Sequence, residues 1–435
     1  MNRRSFMVAT GAVIGGFCRG IGAALKPVEA SSLLPSAELP STLRWDDVRG
    51  QFNLHPTKIN MACLWHASHP RPVRTAIDRH RAGLDECPSE YFHENAPRME
   101  AEVRAAAADY LHGRHDEIAL TGSTSEGLGT IYAGLKLRPE QEILSTEQDH
   151  IQTKSSLRLR AEKTGAKVKT ISLYERSDTV TEDQLVGCVV QAITDRTKVI
   201  AITWVQSATG VKMPVAQVAR EVSRLNAARE VPDRILLCVD GVHGFGVEDF
   251  EIADLGCDFF IAGCHKWLFG PRGTGLVWGK PEAWREVIAT IPTNDQLWTH
   301  LPEDQLTPAS LMTPGGFHTF EHRWALTEAF QFHRQIGKNR VTSRIHELNT
   351  QCKEGLSKMP HVQLHTPMSE RLSAGMVCFD VKGLTPEQTV ARLKEKGIIA
   401  STTPPYKHEY ARVTPSLWNT PAEVETTLRA IRSLA

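Results

Sequence analysis

The sequence predicts an α/β protein with a large domain on a mostly parallel sheet and a smaller C-terminal α+β domain. Three observations carry that prediction. Runs that are almost wholly apolar, such as VIAIT, ILLCV and DFFIAG, alternate with stretches of helical composition and length. Strands apolar at every position are those buried on both faces, as in a parallel sheet covered by helices. A proline-rich polar stretch from Ile291 to Pro314 closes that series, and the last third begins an alternation of its own. Finally, 435 residues exceed what one small core organises, so two domains are expected.

The elements follow in order. The start, MNRRSFMVATGAVIGGFCRGIGAALKPVEASS, sets Arg3 and Arg4 before a weakly apolar, glycine-rich run that ends on small residues at Ala30. A charged start, a short apolar stretch and a small-residue site describe a secretory signal. The arginine pair before Ser-Phe-Met resembles the twin-arginine type. Residues 1–30 are therefore expected to be a twin-arginine signal peptide that sends the mature chain to the periplasm through the twin-arginine export machinery. The run falls short of the roughly 20 apolar residues that span a bilayer.

Residues from about 31 to 70 are proline-rich and irregular. MEAEVRAAAADYLHG, Met99 to Gly113, is a helix with a glycine stop. EIALTGSTSEGLGTIYAGL reads strand, turn, helix. SSLRLRAEKTGAKVKTISL and LVGCVVQAITDRTKVIAITWV each read helix then strand, and VAQVAREVSRLNAAREVPDRILLCVDG reads helix, loop, strand. DFFIAG and GTGLVWG add two short strands. Past the 291–314 loop, RWALTEAFQFHRQIG is helical, and GMVCFDVKG, TPEQTVARLKEKG, ARVTP and PAEVETTLRAIRSL alternate strand and helix. The expected division is 31–310 for the N-terminal segment and large domain, and 311–435 for the small domain. Trp298, His300, His318 and His322 lie in or just after the loop. They are expected either to line an entrance or to pack against a second subunit.

Lys plus Arg and Asp plus Glu number 50 each. With no net charge and no basic run, nucleic acid is excluded as a partner. The nine cysteines form no CxxC and no zinc spacing, so no metal site is expected. Most read as small buried apolar residues.

Chemistry concentrates in three stretches. ALTGSTSEGLG places small residues and hydroxyls, with Thr124 and Ser125 among them, at a helix N-terminus. Free N–H groups there favour an anion, and the same residues equally suit a helix cap. ILLCVDGVHG ends an apolar strand on Asp240, with His243 close behind. Ligands in open α/β sheets bind outside such strand ends, where a carboxylate needs a partner such as a protonated ring nitrogen, or else caps the next turn. AGCHKWLFGPRGTG sets Lys266 at the end of an apolar run, 26 residues beyond Asp240. A lysine among apolar neighbours is paired, neutralised or covalently used; beside a loop it also reads as an ordinary surface residue. The three stretches together suit a lysine that binds an aldehyde cofactor.

TGSTSEG, TEQDHIQ, VDGVHGFG, AGCHKWLFGPRGTG and ARVTPSLWNTPAEVE, in that order, resemble the class V aminotransferases, pyridoxal-phosphate enzymes of fold type I. The His-Lys-Trp form resembles their isopenicillin N epimerase-like branch. The resemblance implies pyridoxal 5'-phosphate as cofactor and a homodimer. It implies that Lys266 binds the cofactor covalently and moves the proton at the substrate Cα, and that Asp240 pairs with the ring nitrogen. His150 would stack on the ring. His243 and Ser207 would contact its phenolic oxygen. Thr124, Ser125 and His265 would hold the phosphate, and Arg412 the substrate carboxylate, a bidentate role that suits arginine. Two positions depart from the pattern. Gly263 stands where Ser or Asn is frequent, and the phosphate threonine lent by a second subunit has only Thr319 as a candidate.

The cofactor supports several reactions. Desulfuration needs a nucleophilic cysteine on a mobile loop, which Cys352 and Cys378 do not offer. The export signal draws the resemblance toward the periplasmic enzymes that tailor pyoverdine siderophores, whose substrate is a glutamate on the chromophore. Conversion of that peptidic siderophore substrate to a succinamide is the expected outcome. Transamination to α-ketoglutarate, epimerisation or transamination of another amino acid, and a non-catalytic exported scaffold are the alternatives. Retention of Lys266, Asp240 and Arg412 together argues against the scaffold.

Overall fold

The computed structural model describes residues 43–403 and 406–435; the signal segment expected at 1–30 lies outside them. The strands, in chain order, are β1 Ile59–Asn60, β2 Ile118–Thr121, β3 Glu142–Thr146, β4 Lys167–Ile171, β5 Thr197–Thr203, β6 Leu236–Asp240 and β7 Phe259–Gly263. They continue with β8 Gly275–Gly279, β9 Val362–Leu364, β10 Val377–Val381, β11 Ile398–Ile399, β12 Ser401–Thr402 and β13 Ala411–Val413.

Seven strands form the central sheet in the order β2-β8-β7-β6-β5-β3-β4. All neighbours run parallel except β8, which is antiparallel to β2 and β7. Every residue of β2, β3 and β5 to β8 is buried, as strands covered on both faces require. One core cluster packs Leu128, Ile131 and Tyr132 of the helix Thr124–Gly134, with Leu157 of the helix Ile151–Thr164, on Val199, Ile261 and Val277 of the sheet.

The second sheet is antiparallel, in the order β12-β13-β10-β9. Its core joins Val377, Phe379 and Val413 to Leu348 and Cys352 of the helix Lys338–Ser357 and to Leu428 and Ile431 of the helix Pro421–Arg432. The N-terminal segment enters this unit, because β1 pairs in parallel with β11 and Ala62 bridges Thr414.

One helical expectation is extended and one helix is added. The helix expected from Met99 begins at Pro88 and passes through Pro97. Proline removes one backbone donor and reads as a break, but burial of Phe92, Ala96 and Met99 against Trp298, Phe320 and Trp324 holds the extra turns. The helix Arg71–Glu86, in the stretch after residue 70, buries Val73, Ala76 and Ile77. Trp298 lies in that aromatic cluster, 4.9 Å from the Phe92 ring, and does not line an entrance.

Candidate active site

The carboxyl ends of β5, β6 and β7 lie side by side, with Thr203 in register with Asp240 and Asp240 with Ile261. Asp240 is buried and accepts the Val242 N–H at 3.2 Å. Burial pushes its carboxyl up to about 6, against the pull of the Lys266 cation. Lys266 follows β7 by three residues. Burial brings its ammonium down to about 8, although Asp240 favours the charged form. Its Nζ lies 3.4 Å from His243 Nε2. Burial, then Lys266 and Arg412, hold the His243 imidazole well below its ordinary range.

Behind Lys266 the chain forms a polar gap. Thr124 opens the helix Thr124–Gly134, and Ser123 caps it by accepting the Glu126 N–H at 3.1 Å. The first backbone N–H groups of a helix have no partner within it. Thr124 Oγ1 and His265 Nδ1 are both buried without a hydrogen-bond partner. They face Gly263, where a Cβ would come within 2.8 Å of Thr124 Oγ1 and 3.1 Å of His265 Cε1. The glycine that departs from the family pattern thus leaves room in which two unpartnered polar atoms converge. Buried polar atoms without partners mark a place for a ligand. Ser125 sits one residue further with its side chain exposed.

His150 caps the helix Ile151–Thr164, its Nδ1 accepting the Gln152 N–H at 3.3 Å. Burial, reinforced by the Lys266 and Arg412 cations, lowers it to about 4, so the ring is neutral at physiological pH. Asp149 beside it ties strand ends together: its carboxylate accepts the Thr146 N–H at 2.7 Å and the Thr203 N–H at 2.8 Å.

The antiparallel sheet closes the site. Arg412 on β13 is fully buried. It donates to Ser401 Oγ at 3.2 Å, to the Thr402 carbonyl at 2.9 Å and to the Ser207 carbonyl. Ser207 Oγ is 2.7 Å from the Tyr406 hydroxyl. Beside these groups opens a cavity of about 470 Å³, lined among others by Asn60, Trp65, His66, Ser401 and Thr402. Thr319 precedes the short helix Phe320–Trp324, makes no side-chain cap to it and is exposed.

The profile of the family Aminotransferase class-V matches residues 86–425. The chain belongs to the class-V aminotransferases. It is 25% identical over 347 residues to the isopenicillin N epimerase of Streptomyces clavuligerus, covering 77% of this chain and 84% of that one. Against the isopenicillin N epimerase of Amycolatopsis lactamdurans it is 24% identical, over 90% of this chain and 98% of the relative. A probable cysteine desulfurase of Halalkalibacterium halodurans is 25% identical over 65% of this chain and 66% of its own length. Among solved structures, a lysine-to-alanine mutant of C-DES with glycine covalently linked to its PLP cofactor superposes with a TM-score of 0.78. That match has 18% identity and covers 88% of this chain and 98% of that one. The apo cysteine desulfurase of Thermococcus onnurineus NA1 gives 0.76 at 22% identity, over 89% and 97% of the two chains. These two likenesses show fold type I.

As a class-V aminotransferase the protein is a pyridoxal-phosphate-dependent enzyme. The donor set fits that group. Thr124, His265 and the first N–H groups of the helix Thr124–Gly134 would hold its phosphate, Asp240 the ring nitrogen, and Lys266 the aldehyde carbon. The sequence reading assigns no role at the site to Tyr406, Asp149 or Trp267. Tyr406 reaches Ser207 from 199 residues away, and no local pattern signals that. Asp149 and Trp267 lie next to His150 and Lys266, and that adjacency was the available signal.

Proposed function

We propose that the chain is an exported enzyme that acts at the Cα of an amino-acid substrate, the glutamate on the chromophore of a pyoverdine siderophore, and yields a succinamide side chain, the α-carboxylate leaving as CO2 and dioxygen serving as oxidant, with water as the second product. One observation carries the chemical part of this reading. Lys266, poised near neutrality, and the buried Asp240 share one sheet edge with a gap in which Thr124 and His265 lack partners.

Bound there, pyridoxal phosphate supplies an electron sink for the charge left at the substrate Cα when its proton departs. Lys266 takes that proton. With its pKa brought to about 8 by burial, a useful fraction is free amine at neutral pH. Asp240 as carboxylate would keep a proton on the ring nitrogen. His150, neutral and anchored at its helix start, would cover the ring. Arg412 is the guanidinium nearest Ser207, and its remaining N–H groups would take the substrate carboxylate.

Desulfuration needs an accessible thiolate. Cys63 feels the Lys266 charge, yet burial pushes its thiol up to about 12. Cys352 and Cys378 are likewise buried, so neither offers such a thiolate. The arginine pair and apolar run of residues 1–30 support export to the periplasm.

The test is the mass of the siderophore secreted by a producer strain carrying Lys266→Ala. Accumulation of the glutamate form supports the reading, and the mass of the missing product separates succinamide formation from transamination to α-ketoglutarate. An unchanged siderophore sinks the substrate assignment.

A further inference from the structure

We propose that Trp267 is a positioning residue: its indole N–H fixes His243 in the tautomer that turns an N–H, rather than a lone pair, toward Lys266. The indole nitrogen only donates. It lies 3.3 Å from His243 Nδ1, so Nδ1 presents the lone pair. A neutral imidazole then carries its proton on Nε2, the atom 3.4 Å from Lys266 Nζ. That N–H finds an acceptor in the free amine of Lys266 and meets only another donor in the ammonium. A hydrogen bond available to the neutral form alone favours that form.

The geometry is rigid at each point. Trp267 is fully buried and His243 nearly so. Gly375, at φ +63°, lies so close to the indole that a Cβ there would approach the ring to 2.9 Å. Other groups also act on Lys266. Asp240 and Cys63 favour its charge, Arg412 opposes it, and the His150 and His265 rings, both lowered to about 4 chiefly by burial, are neutral near pH 7. Trp267 acts on Lys266 through His243, by choosing which ring nitrogen faces it. The inference rests on the reading of Lys266 as the cofactor lysine.

Trp267→Phe keeps an aromatic ring and deletes the donor. Two readouts on the full-length apoprotein test it: the ¹⁵N resonances of His243, and the rate of pyridoxal phosphate uptake across pH, whose midpoint reports the Lys266 amine. The unmutated protein should show a protonated Nε2 and a bare Nδ1. In Trp267→Phe that preference should vanish and the uptake midpoint should rise by about one pH unit, since a freed ring accepts from the ammonium. His243→Gln, whose amide turns either way, should raise the midpoint similarly. A bare Nε2 in the unmutated protein overturns the inference, as does an unmoved midpoint in a folded Trp267→Phe. If that variant does not fold, the unmutated spectrum and His243→Gln decide. An unmutated chain that takes up no pyridoxal phosphate overturns the functional reading instead, while the resonances still judge the tautomer.

Discussion

Burial shifts both Asp240 and Lys266 toward their neutral forms. Burial raises the Asp240 carboxyl to about 6, so between about pH 4 and 6 the folded apoprotein binds a proton that the unfolded chain has released. Its contribution to stability is therefore full below about pH 4 and is lost as pH rises through 6. Asp240→Asn removes that dependence. The apoprotein variant should be more stable than its parent at pH 7.5, by about 2 kcal/mol. The gain should shrink toward pH 4.5, read from urea midpoints at the two values. Equal gains at both would show that the carboxylate is not strained by burial. The same variant should lose catalysis, because the carboxylate that burdens the fold is the one proposed to pair with the ring nitrogen. Among single residues, Lys266 and Asp240 were legible from their places at the ends of apolar runs. Tyr406 was not, because its proximity to Ser207 is made by folding across 199 residues.

At the scale of elements, the last helix shows how the segment around Arg49 is anchored. Thr420 and Glu423 form a reciprocal cap at the start of Pro421–Arg432, at 3.2 and 3.1 Å. Glu423 also accepts from Arg49 at 2.7 and 3.0 Å, and Arg49 donates to the Trp418 carbonyl. One carboxylate thus starts a helix and anchors the N-terminal segment whose strand β1 pairs with β11. Glu423→Ala should lower stability by about 2 kcal/mol. Arg49→Ala should add less in that background than alone, since the two share one contact. Strictly additive urea midpoints would show that the contact contributes nothing. The capping signature and alternating apolar pattern of these elements are local, and sequence reading found the helix. It began the helix Pro88–Leu111 at Met99 rather than at Pro88, because the apolar partners Trp298, Phe320 and Trp324 that hold the earlier turns lie about 200 residues away.

For the whole molecule, the large apolar side chains exposed among the described residues are spread along the chain and include Ile288, Ile291, Leu297 and Leu301, and Phe317 at 82% exposure. Apolar surface of this kind marks an interaction site. We expect it to be covered by a second copy of the chain. Light scattering should give twice the chain mass for the parent, and Phe317→Asp should weaken association about tenfold. A monomeric parent would remove the homodimer from the reading.

Local patterning determined the α/β class, the order of strands and helices, and the positions of Lys266, Asp240 and Thr124, because burial on both faces and turn chemistry are written in consecutive residues. Only the tertiary structure decided that β8 runs against its neighbours, and that Gly263 opens a gap between Thr124 and His265. It alone decided that Arg412 and Tyr406 converge on Ser207 and that the Trp267 indole meets His243. Each of those depends on distances between segments remote in sequence, which packing sets and periodicity does not encode.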